Sequence, residues 1–245
     1  MKVVLLGATR GMGRALARRM AERGDQLFLL GRSEPDLARS AADLELRGAG
    51  GKVGSSHCDL LEPASFAPAL DRAESELGGI DIVVVSAGLF GTQEQLENDP
   101  AQARQVLDAD FTATVGFCEE ARKRLLAAKG GTLCVFSSVA GDRGRKPVVL
   151  YGAAKAGLSA YLEGLDHRYH EHGLVVVTVK PGFVRTSMTE GLDAPPFAGE
   201  PDAVAGTVLV GIDRGRSVVY APPIWRWILL LIRLLPRTVM RRLSI

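Results

Sequence analysis

Val3-Val4-Leu5-Leu6-Gly7-Ala8-Thr9-Arg10-Gly11-Met12-Gly13-Arg14-Ala15-Leu16 is the stretch on which the fold turns. It opens with an apolar, partly β-branched run, as a buried strand does. From Gly13 to Arg23 apolar residues recur at helical spacing, and the pattern stops at Gly24. Between strand and helix lies a glycine-rich turn. Glycines let a backbone approach a ligand closely, and a helix N-terminus offers free N–H groups and a positive dipole end, as a pyrophosphate requires. Gly7, Thr9, Arg10, Gly11, Met12 and Gly13 are therefore candidate cofactor-binding residues. The spacing is GxxxGxG, wider than the GxGxxG of the general dinucleotide fingerprint. A turn that binds nothing is the plain alternative.

The same alternation continues outward. Leu27–Leu30, Val53–Cys58, Ile82–Val85, Thr132–Phe136, Val175–Val179 and a weaker Val218–Tyr220 read as strands, and Asp36–Leu46 as a helix. Most of these runs are apolar throughout, as in strands covered on both faces. Strand–helix alternation at this spacing predicts an α/β fold with a doubly wound parallel sheet. Asp99-Pro100 is expected to open a long helix towards Lys129, and a second runs from about Tyr151 to His172. Thr189–Pro201 carries three prolines and two glycines and reads as a surface loop, with a substrate loop expected over about 187–203.

Composition fits this reading. The chain has 245 residues, 47% hydrophobic and 24% charged, which suits one globular α/β domain and excludes disorder and a fibrous fold. A net charge of +2 gives no reason to expect a nucleic-acid partner. Cys58, Cys118 and Cys134 are far apart, without metal-ligand spacing, so neither a metal site nor a disulfide framework is expected. The apolar run at the start is too short for a signal peptide, and a cytoplasmic location is the expectation.

The second strand suggests which dinucleotide. An acid at its end would hold ribose hydroxyls, whereas an arginine would accept the extra phosphate of NADP. Gly31-Arg32-Ser33 follows Leu30, so Arg32 and Arg10 form a candidate phosphate clamp and NADP is the expected cofactor. Two solvated surface arginines are the alternative.

Tyr151 and Lys155 stand four residues apart in a helix and share a face. Ser138 follows the Thr132–Phe136 strand, at the sheet end where such folds bind ligands. A free phenol has a pKa of about 10, and a neighbouring ammonium together with an oxidised nicotinamide is expected to favour phenolate. Ser138 would then fix a substrate oxygen while Tyr151 exchanges its proton.

With these pieces in order, the chain resembles the short-chain dehydrogenase/reductase family. The resemblance rests on Gly7–Gly13, Asp59-Leu60, Ser86-Ala87-Gly88, Ser137-Ser138, Tyr151-Gly152-Ala153-Ala154-Lys155 and Pro181-Gly182-Phe183-Val184-Arg185-Thr186. It implies a single Rossmann-like domain over 1–223. It also implies a site in which Ser138 orients substrate, Tyr151 is the acid/base and Lys155 also holds the nicotinamide ribose. Asp59 and Leu60 would lie at the adenine, Ser86, Ala87 and Gly88 beside the cofactor, and Pro181, Gly182, Val184 and Thr186 around the nicotinamide amide. Related proteins are commonly homo-oligomers. Two positions depart from the pattern: Ser86 stands where the family usually has Asn, and Asp110 where it has the Asn that supports a proton-relay water. Asp110 is expected either to serve the relay or to pair with Lys155.

Ile224–Ile245 contains five arginines, two tryptophans and no acid, and its longest uncharged run is far too short to span a bilayer. Its composition suits a helix in the membrane interface, so peripheral contact at the inner membrane face is expected of 224–245. A tail packing on a partner subunit or over the pocket is the alternative. The tail and the region around Ser138 also resemble the reductases of decaprenylphosphoryl arabinose synthesis, which implies a lipid-linked carbonyl substrate. Keto-lipid or 3-ketoacyl reductases, and a non-catalytic NADP(H)-binding regulator docked on membranes, remain as alternatives.

Overall fold

The computed structural model describes residues 1–243; the expectation for the tail includes Ser244 and Ile245, which lie outside the described residues. Seven parallel strands form one sheet in the order β3-β2-β1-β4-β5-β6-β7. They are β1 (Lys2–Leu6), β2 (Gln26–Gly31), β3 (Gly54–His57), β4 (Ile82–Val85), β5 (Gly131–Phe136), β6 (Leu174–Pro181) and β7 (Val218–Ala221).

Alternating side chains of the same strands feed two cores, as the two-residue period of a strand demands. Val3, Leu5, Leu29 and Val84 point to one face. There they pack on α1 (Gly11–Glu22), α2 (Glu34–Leu46) and α8 (Pro201–Asp213). Val4, Leu6, Leu30 and Val85 point to the other, against α3 (Phe66–Leu77), α6 (Thr114–Ala127) and α7 (Val149–Tyr169). The predicted doubly wound single domain is therefore what the chain forms.

Several local expectations change. β3 is shorter than Val53–Cys58 and reads Gly-Ser-Ser-His, because an edge strand with one neighbour tolerates polar residues. The predicted loop overshoots at its end: Pro201 opens α8, since proline suits the first turn of a helix, where no N–H is needed. A helix does run on from Asp99, whose side chain accepts the Ala101 and Gln102 N–H groups, but it comes in pieces. After α4 (Gln93–Asn98) and α5 (Pro100–Leu107), residues Asp108–Ala113 widen into a π-helical turn before α6 begins. The Thr114 hydroxyl donates to the Ala109 carbonyl at 2.7 Å inside this turn. Such turns often re-aim a side chain at a functional site. Here Asp110 ends fully buried.

The C-terminal segment forms α9 (Trp225–Leu234) and α10 (Arg237–Met240). Leu229 is buried against the domain, whereas Trp227, Leu231 and Leu234 are 61%, 68% and 74% exposed. Among the described residues no helix is long and apolar enough to cross a membrane.

Candidate active site

Chain order reverses between β1 and β4, which are paired with Leu6 opposite Val85. Gly7 and Ser86 follow these two strands, so the glycine turn and the Ser86–Gly88 segment meet where the helices diverge to opposite faces. A cleft opens there. Gly7, Thr9, Arg10, Gly11, Met12, Gly13, Arg32, Asp59, Leu60, Ser86, Ala87, Gly88 and Thr186 all line it. Cys58, Leu61, Leu89, Ala109, Ser187 and Met188 also do so, and sequence reasoning missed them. Their apolar or small side chains carry no chemical signal; only the fold delivers them.

The cleft fits a dinucleotide. Gly7 has a φ of +96°, and a Cβ there would come within 2.5 Å of the Ala87 nitrogen. A Cβ on Gly13 would collide with the Ser86 hydroxyl and the Gly7 carbonyl. Backbone, not side chain, therefore forms the floor. Ser86 donates towards the Leu6 and Gly7 carbonyls at 3.2 Å each, tying the two strand ends together. Arg10 caps α1 without any side-chain hydrogen bond to the helix, and the first turn holds no acid, which leaves the N–H groups and dipole for an anion. Arg10 itself is 73% exposed and reaches Asp36 at 3.4 Å.

Pro181, Gly182 and Val184 do not line this cleft. Pro181 ends β6, Val184 is buried and bridges to Gly199, and the backbone of Gly182 lies beneath the Trp225 indole. Any side chain at 182 would clash with that ring. Thr186 reaches back to the glycine turn: its Cγ2 would be 3.4 Å from a Cβ on Gly11.

Beside the cleft stands a polar cluster in which Ser138, Asp110 and Lys155 are buried and Tyr151 is half-buried. Ser138 follows β5, and its Oγ accepts the Ala140 N–H at 3.1 Å; the same hydroxyl acts to lower the Tyr151 phenol, against burial. Tyr151 and Lys155 share a face of α7, with the ammonium 5.6 Å from the phenol ring centre. Phe90 packs edge-on against Tyr151 at 5.1 Å, a contact without sequence signal. Ser137 donates to the Lys155 carbonyl at 3.0 Å and so pins α7 to the end of β5. The Lys155 ammonium lies 3.3 Å from Asp110 Oδ1, which also accepts the Leu89 N–H at 3.0 Å. Asp110 Oδ2 is buried without a hydrogen-bond partner among the described residues. Lys155 is also 3.6 Å from where a Cβ on Gly88 would stand, so Gly88 joins cleft and cluster.

Burial dominates the electrostatics. It raises the Tyr151 phenol above its ordinary value despite the Lys155 ammonium, and the Asp110 carboxylate adds to the rise. The expected lowering of Tyr151 is thus absent in the protein alone, because desolvation of a buried phenolate costs more than one ammonium returns. Burial likewise raises Asp110, against the pull of Lys155. For Lys155 burial acts downward, but Asp110 and Tyr151 outweigh it and the ammonium is favoured.

The family model described as short chain dehydrogenase matches residues 1–196. The chain belongs to the short-chain dehydrogenase family. It is 35% identical over 241 residues to an uncharacterized oxidoreductase of Mycobacterium tuberculosis (strain ATCC 25618 / H37Rv), covering 98% of this chain and 96% of that one. It is 29% identical over 199 residues to the 3-oxoacyl-(acyl-carrier-protein) reductase of Escherichia coli (strain K12), covering 81% and 80%. Among solved structures, a short-chain type dehydrogenase/reductase from Mycobacterium marinum superposes with a TM-score of 0.81 at 25% identity, covering 89% and 93%. This short-chain dehydrogenase is accordingly an oxidoreductase acting on CH–OH or carbonyl groups, of a family that uses a nicotinamide dinucleotide.

Proposed function

We propose that this short-chain oxidoreductase is an NADP(H)-dependent ketoreductase of an amphiphilic or lipid-linked carbonyl substrate. In this reading residues 1–223 form the catalytic domain and 224–245 contact the inner membrane face. The observation that carries the chemistry is the Ser138–Tyr151–Lys155 cluster, set beside the dinucleotide cleft at the carboxyl end of β5. The substrate loop of about 187–203 covers the same end of the sheet, with its last residues in α8.

When bound, the dinucleotide supplies the hydride. Ser138 Oγ donates a hydrogen bond to the substrate carbonyl oxygen and fixes it beside Tyr151. Tyr151 Oη gives its proton to that oxygen as negative charge develops on it. A phenol whose pKa is raised by burial remains protonated through neutral pH, as an acid in the reducing direction must be. Lys155 holds the ammonium that stabilises the phenolate left behind, and Asp110 anchors Lys155. The phenolate takes its next proton from solvent water, which closes the proton balance of the cycle.

Arg10 and Arg32 support NADP, since both line the cleft and no carboxylate is contributed by Gly31-Arg32-Ser33. The exposed apolar face of α9, with an acid-free arginine-rich tail, supports a membrane-resident substrate. Similarity to a 3-oxoacyl reductase favours, as the second reading, a ketoacyl substrate instead of a lipid-linked keto-sugar of the decaprenylphosphoryl type.

Tyr151→Phe tests the assignment. Turnover with a carbonyl panel that includes lipid extracts should fall by about 10²–10⁴-fold. NADPH affinity should stay close to that of the parent. Unchanged turnover would sink the assignment.

A further inference from the structure

A second cavity, of about 500 Å³, lies beyond the Ser138 loop, where α10 comes back over the start of α7. Arg143, Arg145 and Lys146 of the loop after β5 form one wall, and Arg237 and Arg241 of the tail form the other. No carboxylate lines it among the described residues. Arg143 and Arg145 are half-buried and the other three exposed, and five like charges around one cavity repel one another unless an anion joins them.

Their pairing is incomplete. Arg143 spends one nitrogen on the Leu235 carbonyl at 2.8 Å, which holds the tail in place. Among the described residues none of the five meets a carboxylate in an ion pair, whereas nearby Asp142 is already held by Lys180 and by the Tyr220 hydroxyl. The Nε of Arg145 is buried and has no hydrogen-bond partner among the described residues. Burial pulls the Arg145 guanidinium below its ordinary value, with only Asp142 acting against it.

We propose that this cavity binds a phosphate group. Guanidinium forks match phosphate oxygens in pairs, and two or more of them suit a dianion better than a single carboxylate. Met240 and the half-exposed Val149 add apolar wall, so the phosphate can be free or carried on an amphiphile. The site is separate from the glycine-turn cleft, which lies beyond the catalytic cluster on β1 and β4.

Calorimetric titration of the full chain with sodium pyrophosphate, with NADPH and NADH both in excess to fill the dinucleotide cleft, tests the proposal directly. A parallel arm measures co-sedimentation with phosphatidylglycerol vesicles, with and without pyrophosphate as competitor. Arg145→Gln/Arg241→Gln should weaken binding in the responding arm by at least about tenfold, the scale of one or two lost charge-assisted hydrogen bonds. A charge-matched control, Arg72→Gln/Arg104→Gln, removes two exposed arginines elsewhere and should bind as the parent does. Equal thermal melts of the three proteins confirm that folding is intact. If both variants melt early, Arg241→Lys, which keeps the charge but loses the fork, should show an intermediate affinity. Response to pyrophosphate alone assigns a free phosphate ligand, and vesicle binding that pyrophosphate competes away assigns a lipid headgroup. No binding in either arm, or equal binding by the cavity variant and the parent, overturns the proposal. The readout is binding, so its failure is distinct from failure of the reductase assignment.

Discussion

The ammonium of Lys155 sits 3.3 Å from Asp110 Oδ1 in a site where both side chains are almost wholly shielded from water. Removing the carboxylate has two separable effects. Asp110→Ala leaves a buried cation alone and should cost about 3–5 kcal/mol of stability. Asp110→Asn keeps an acceptor for the Leu89 N–H but removes the negative charge, which lowers the Tyr151 phenol. If Tyr151 is the acid, the high-pH limb of reductase activity should move to lower pH in Asp110→Asn. A pH–rate profile and a thermal melt check the two parts; an unmoved limb would show that Asp110 does not govern the phenol.

Arg10 and Arg32 face the same cleft, and Arg10 is already drawn towards Asp36 at 3.4 Å. Arg32→Ala should weaken NADPH by about tenfold or more, on the scale of a hydrogen bond to a charged group, and leave NADH nearly unchanged. Fluorescence titration with both dinucleotides decides. Tighter binding of NADH by the parent would remove the phosphate clamp.

Cys58 stands in the wall of the dinucleotide cleft, yet burial pushes its thiol up to about 11. Cys118 and Cys134 are pushed higher still by complete burial. A thiol that stays protonated is a poor nucleophile. The folded protein should therefore resist iodoacetamide near neutral pH, and the unfolded chain should take up three adducts by intact mass. Rapid labelling of Cys58 in the native protein would show that the cleft wall opens.

The legible part of this fold was where local and global signals agree. The β1–turn–α1 unit ends within two residues of its predicted bounds, because apolar run, glycines and helical spacing coincide. Ser138, Tyr151 and Lys155 could be found because strand end and helix spacing bring them together. The π-helical turn that carries Asp110 inward was not visible, since it depends on what packs against it. Nor was α8, whose opening proline reads as a breaker when the helix behind it is unknown. Phe90 and Met188 reach the site from loops, where side-chain type alone indicates nothing.

Trp227, Leu230, Leu231 and Leu234 recur along α9 at helical spacing, and all are exposed. Leu231→Glu/Leu234→Glu places two carboxylates on that stripe without touching buried Leu229. If the stripe enters anionic bilayers, flotation with phosphatidylglycerol vesicles should be lost while the melting temperature holds. Equal flotation of parent and variant would leave the stripe to another contact.

The indole of Trp225 rests on the bare backbone of Gly182, at the root of the segment that ends in cleft-lining Thr186. The tail is thus packed under the segment that leads into the dinucleotide pocket, not a detachable handle. Cutting the protein before Ile224 would loosen that joint as well as abolish any lipid contact, so a shortened form should grip its coenzyme less firmly even in plain buffer.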